Sequence, residues 1–178
     1  MAESEPTKDQ AAVPGAEEAA AAVTKRDRVF LVVVDNTPEL PVALRYASLR
    51  ARKGGGRVAL LRVVEPAELT EWAGVGAMMA EERREEAERL LSGFAAQVTE
   101  ITGQLPMLLI REGEVRDELL ALLAEDPRIS ILVLASAAGG GGPGPLISAL
   151  TGRYAPKVTV PMTIVPGALD DAELERVT

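Results

Sequence analysis

Three stretches carry residue types and spacings that could do chemistry. The first is Asp35, which directly follows the apolar run VFLVVV. A carboxylate there can accept hydrogen bonds from a sugar hydroxyl or a base, or hold a metal; equally, it can stabilise the turn that follows or cap the next helix. The second is Gly113, ahead of a helical pattern from Glu114 to Glu125. Glycine lets an anion approach the N–H groups of a helix start, and it also serves as a tight strand-to-helix turn. The third is SAAGGGGPGP, Ser136 to Pro145. Consecutive glycines after a buried strand can wrap phosphates with backbone N–H groups, or form a mobile linker whose ordering is entropically costly. Neither a dinucleotide fingerprint after the first apolar run nor a P-loop GKS or GKT occurs. Glu65 and Asp35 end the first two apolar runs, so two carboxylates near one Mg2+ are conceivable at a shared rim.

Composition narrows the chemistry further. The chain holds no histidine and no cysteine, which removes thiol chemistry, histidine acid–base catalysis, disulfides and the usual zinc sites. No nucleophile–base pair stands out, so independent catalysis is not expected. The formal net charge of −8 repels phosphate backbones and argues against general nucleic-acid binding. The start MAESEPTKDQ is acidic, the alanine run Ala19–Val23 is too short for an export segment, and no apolar run approaches the roughly 18 residues of a membrane span. No membrane association and a cytoplasmic location are the expectations.

The elements that must position these residues alternate in period. VFLVVV (29–34), RVALLRVV (57–64), 106–110, 129–135 and 158–165 read as strands, and several are apolar on both faces, as strands inside a parallel sheet are. Between them lie helical stripes at about 38–52, with Thr37 as cap and Pro38 as first residue, then at 77–101, 114–125 and 146–153. A connection over 67–76 holds the only tryptophan, Trp72. Helical crossovers require parallel pairing, and the count β-α-β-α-β-α-β-α-β gives an α/β fold, an open parallel sheet with helices on both faces. Ligands of such sheets bind at the carboxyl ends of the strands, where strand order reverses. Pro161 inside the last strand suits an edge position. Residues 1–28 read as a disordered tail, 29–166 as the domain and 167–178 as a short acidic tail.

The Asp after the first strand, the glycine-rich loop and the closing TVPMTIVPG together resemble the universal stress protein family over residues 29–166. The likeness is greatest to a bacterial branch with segments like FLVVVDNTPE and ILVLASAAGGGGPGPL. That resemblance implies a five-stranded parallel sheet in the order 3-2-1-4-5. It also implies a homodimer, often formed by antiparallel pairing of last strands, and a role in stress response, with a protein partner conceivable. For nucleotide-binding members it implies ATP or AMP with Mg2+ as regulatory ligand, with slow ATP hydrolysis as the most enzymatic activity to expect. Asp35 and Val63 would then lie on the adenine side, with Gly113 before the third helix. Gly139, Gly142 and Gly152 match the spacing of the family's phosphate loop. The loop departs from the family's pattern: it carries about four extra residues, and Arg153 stands where a hydroxyl residue is usual, with Ser148 and Thr151 nearby. Arg153 can pair with a phosphate or lie on a solvated helix face. The alternative reading is a nucleotide-free interaction module of the same fold.

Overall fold

The computed structural model describes residues 28–66, 73–139 and 142–178. The expected N-terminal tail, apart from Arg28, and Trp72 lie outside the described residues. Five strands form one sheet: β1 (Val29–Val33), β2 (Arg57–Val64), β3 (Met107–Glu112), β4 (Ile129–Ser136) and β5 (Met162–Pro166). All pair in parallel, in the order β3-β2-β1-β4-β5. Val29 lies opposite Arg57 on one side and Ile129 on the other, so the three central strands start level. A register shift between Val29 and Phe30 on the β4 side takes up one residue, Ser130.

The doubly apolar strands are explained by the two cores. Alternate residues point to opposite faces, and Phe30, Val32, Val34, Val58 and Leu60 join one cluster while Leu31, Val33, Ala59, Leu61 and Val63 join the other. The first face is covered by α1 (Leu40–Gly54), α2 (Ala73–Thr102) and α5 (Asp171–Val177), through Leu44, Ala47, Leu91, Val98 and Leu174. The second is covered by α3 (Val115–Glu125) and α4 (Pro145–Thr151), through Leu119, Leu122, Ile147 and Leu150. Leu31 and Leu60 are wholly buried, as fits the middle of a sheet packed on both faces. Among the described residues no helix is long and apolar enough to cross a membrane.

Several local expectations change. Thr37 does not cap α1: Glu39 occupies the N-cap position, and the Thr37 hydroxyl instead donates to the Asp35 carboxylate at 2.6 Å. The second helix begins at Ala73, earlier than 77. At the other end of α1, Gly55 takes φ 75°, the left-handed geometry that lets its N–H and that of Gly56 both return to the Ala51 carbonyl.

The last strand is shorter than 158–165. A 3-10 turn (Ala155–Lys157) precedes it and pairing begins at Met162. Pro161 explains the delay, since it has no N–H to donate; its carbonyl still accepts from the Leu132 N–H at 2.9 Å. The stretch after residue 166 is also more than an acidic tail. Asp170 and Glu173 form a reciprocal capping box that starts α5, and Leu174 is 1% exposed against α1. Arg45 pairs with Asp171 at 2.8 Å, and Lys53 donates to the Glu175 carbonyl at 3.0 Å.

Candidate functional site

The order of the strands reverses between β1 and β4, because the chain runs outward from β1 through β2 to β3 and then crosses to the far side. At that point the carboxyl ends of β1 and β4 splay around a cleft of about 160 Å³. Val33, Asp35, Thr37 and Glu39 line one wall, and Ala135, Pro143, Gly144 and Leu146 line another. Asp35 and the end of the glycine-rich loop therefore share one rim, as the sequence led us to expect.

Asp35 is half-buried. Its Oδ1 accepts from the Thr37 N–H at 3.1 Å as well as from the Thr37 hydroxyl. The same carboxylate thus fixes its own turn, lines the cleft and keeps acceptor capacity beyond those two bonds, since a carboxylate has about four acceptor sites. Glu39 was not anticipated from the sequence. Its Oε1 accepts from the Ala138 N–H at 3.2 Å, so a second carboxylate stands at the cleft and holds the loop that leaves β4.

The glycines of the loop fare differently. Gly142 and Gly144 take φ 85° and φ 93°, a backbone that favours glycine. Gly139 and Gly142 are exposed and nothing lies within 4 Å of where a Cβ would sit. Gly152 is not at this rim: it caps the far end of the seven-residue helix α4, roughly 12 Å along the axis from Gly144, and there a Cβ would press on the Ser148 carbonyl. Arg153 follows it, exposed, 5.7 Å from the centroid of the Tyr154 ring. That ring also takes the guanidinium of Arg116 at 4.4 Å, and the Arg116 hydrogen bonds hold the Asp117 carboxyl below its usual range. The hydroxyls of Ser148 and Thr151 both donate at 2.8 Å to carbonyls four residues back, those of the N-cap Gly144 and of Ile147.

Gly113 extends the ladder. Its N–H donates to the Val64 carbonyl at 3.0 Å, its φ is 150°, and a Cβ would collide with the Glu118 side chain. The close approach it permits is to Glu118, so the turn reading accounts for it. Val63 lies elsewhere again, 6% exposed in the wall of a second and larger cleft of about 570 Å³ over the carboxyl end of β2. This cleft runs between β2 and α2, with Arg62, Glu65, Met79, Arg83, Glu86 and Val115 among its lining. Asp35 and Glu65 therefore line different clefts, not one. Arg62 donates to the Val34 carbonyl at 3.1 Å, and Arg83 to the Glu65 carbonyl at 3.2 Å. A lone arginine near the end of the apolar run RVALLRVV was the sequence signal that could have found this cleft. Among the described residues no group of three or more acidic side chains gathers to hold a metal.

A profile of the universal stress protein family matches residues 28–166. Solved structures share the fold. A universal stress protein from Lactobacillus plantarum superposes with a TM-score of 0.64 at 15% identity, covering 79% of this chain and 98% of its own. One from Archaeoglobus fulgidus, in complex with dAMP, gives 0.51 at 19% identity, covering 78% and 97%. One from Arabidopsis thaliana, with AMP bound, gives 0.52 at 14% identity, covering 78% and 91%. Among curated proteins none matches the chain.

Proposed function

We propose that this chain, which belongs to the universal stress protein family, binds an adenine nucleotide, ATP or AMP, at the carboxyl rim of its sheet and uses it as a regulatory ligand in a stress response. The observation that carries the reading is the shared cleft: Asp35 from the end of β1 and Gly144 and Leu146 from the start of α4 line one opening at the point where strand order reverses. Two proteins of the same fold are described with dAMP and with AMP, which supports an adenylate as the ligand class.

In this reading Asp35 accepts from a ribose hydroxyl or a base amine, while Val63 offers an apolar wall for the base. Gly139 and Gly142 keep the loop free of side chains beside the ligand. Gly113, Gly152 and Arg153 stand outside both clefts and contribute to the fold around them. Any Mg2+ arrives with the phosphates of ATP, since a hard cation on nucleotide needs few protein carboxylates. No catalytic base is assigned, and the expected turnover is none or slow.

The assembly we propose is a homodimer through β5, an edge strand whose unpaired N–H and C=O groups and partly exposed Ile164 favour a cover. The cytoplasm is its proposed location. The nucleotide reading is tested by mass spectrometry and ultraviolet absorption of gently denatured, freshly purified protein, followed by titration with AMP and with ATP and Mg2+. Adenylate retained or bound is the expected result. Absence from both experiments leaves the nucleotide-free interaction module as the function.

A further inference from the structure

We infer that Glu39 is a specificity-determining residue of the nucleotide site: its carboxylate competes with the ligand's phosphates for the backbone N–H groups at the start of the glycine-rich loop, and so opposes binding more strongly the more charge the ligand carries. This rests on the nucleotide reading above and adds to it what tunes the choice of ligand.

The placement of this carboxylate carries the argument. Asp35 and Glu39 are both half-buried and line the cleft between β1 and β4, and no arginine or lysine lines it among the described residues. Neither carboxylate pairs with a cation among the described residues. They differ in what they hold. Asp35 is bonded to the hydroxyl and the N–H of Thr37, inside its own turn. Glu39 reaches across to the loop, where its Oε1 accepts from the Ala138 N–H at 3.2 Å.

Backbone N–H groups are what such a loop offers to a phosphate. One of them is already satisfied by an anion that belongs to the chain. A phosphate oxygen arriving at Ala138 must displace the carboxylate, and one arriving at a neighbouring N–H must sit beside it. The carboxylate is not free to swing away, because its aliphatic stem occupies the space that Gly167 leaves open: a Cβ on Gly167 would collide with the Glu39 Cβ and Cγ. No cation offsets the charge. Arg153, which the sequence places beside the loop, sits beyond the far end of α4 against Tyr154, and the chain as a whole carries −8. Like charge in a partly dry site opposes an anion and leaves an uncharged ligand unaffected.

Calorimetric titration of the full chain and of Glu39→Gln with adenosine, AMP, metal-free ATP and Mg2+-ATP tests this, alongside thermal melts that confirm the variant folds. Glutamine keeps an oxygen acceptor for the Ala138 N–H and removes the charge alone. Relative to the unmodified chain, adenosine affinity should stay within about twofold, AMP should gain about threefold and metal-free ATP about tenfold or more. The gain for Mg2+-ATP should fall back towards that for AMP, because the cation neutralises part of the phosphate charge. Added salt should shrink the gains for AMP and ATP, since screening weakens repulsion but not a merely structural effect. Binding of metal-free ATP by Glu39→Gln but not by the unmodified chain is the extreme form of the expected result. The inference is overturned, with the nucleotide reading left standing, if Glu39→Gln changes all four affinities equally, if it changes none of them, or if it weakens Mg2+-ATP, which would make the carboxylate a partner of the cation. Failure of every ligand to bind either protein overturns the nucleotide reading and this inference with it.

Discussion

The carboxylate of Glu39 accepts a hydrogen bond from the backbone of Ala138 at 3.2 Å, so the residue that enters α1 also holds the loop that leaves β4. The contact is closed from below by Gly167, whose N–H donates to the Ser136 carbonyl at 3.0 Å. Three chain segments distant in sequence thus meet at the end of the sheet where the smaller cleft opens.

Gly167→Ala should disturb that junction. An added Cβ collides with both the Glu39 side chain and the Ser136 carbonyl, and the backbone atom cannot swing aside. We expect a loss of about 1–3 kcal/mol, typical of overpacking, read as a lower midpoint in denaturant unfolding. Removing the side chain with Glu39→Ala in the same protein should recover only part of the loss, because the Ser136 carbonyl remains. Full recovery would show that the carbonyl is not the obstacle.

Asp35→Ala separates ligand binding from folding. The Asp35–Thr37 bonds lie within an exposed turn, so stability should change by less than about 1 kcal/mol. Affinity for AMP should fall about tenfold, the worth of a hydrogen bond to a charged acceptor. Unchanged affinity by calorimetry would remove Asp35 from the site.

Leu174→Ala asks whether α5 belongs to the domain. Leu174 is 1% exposed and packs into the same cluster as α1. Truncating it should cost about 2–5 kcal/mol, as for other buried leucines, and should lower the midpoint of the single unfolding transition. A change below about 0.5 kcal/mol would mean that the helix is frayed in solution.

Acid should weaken the turn between α3 and β4. The Arg128 side chain, bonded to Asp126 at 2.9 and 2.7 Å, is the main cause holding the Asp126 carboxyl below its ordinary value of 3.8. A carboxyl depressed in the folded state adds stability above its unfolded value and loses it as pH falls through the folded one. The melting temperature of Asp126→Asn should therefore lie below that of the unmodified protein at pH 7, and the gap should close towards about pH 2. A gap that persists in acid would assign the effect to the shape of the turn instead of to charge.

Much of this architecture could be read from the chain alone. Segments such as VFLVVV and the VALL of β2 are apolar at every other position and at the positions between, and only a strand covered on both faces buries them all. Helical crossovers of the observed length force neighbouring strands to run the same way. Asp35 could be placed at the carboxyl rim because it is the first polar residue after β1. The helix started by the capping box of Asp170 and Glu173 was not read from the chain, where acidic composition suggested only a tail; burial of Leu174 decides that it packs instead of trailing.

Tertiary structure decided the rest, since proximity across the sheet depends on which strands become neighbours. Spacing placed Gly152 and Arg153 with the loop, yet the axial length of α4 carries them away from it. Nothing local in the sequence announces that Glu39 reaches Ala138, or that Arg62 and Arg83 turn their guanidiniums into one cleft. Long side chains are directed by the carbonyls they meet, here those of Val34 and Glu65, and those meetings exist only once β1, β2 and α2 have packed.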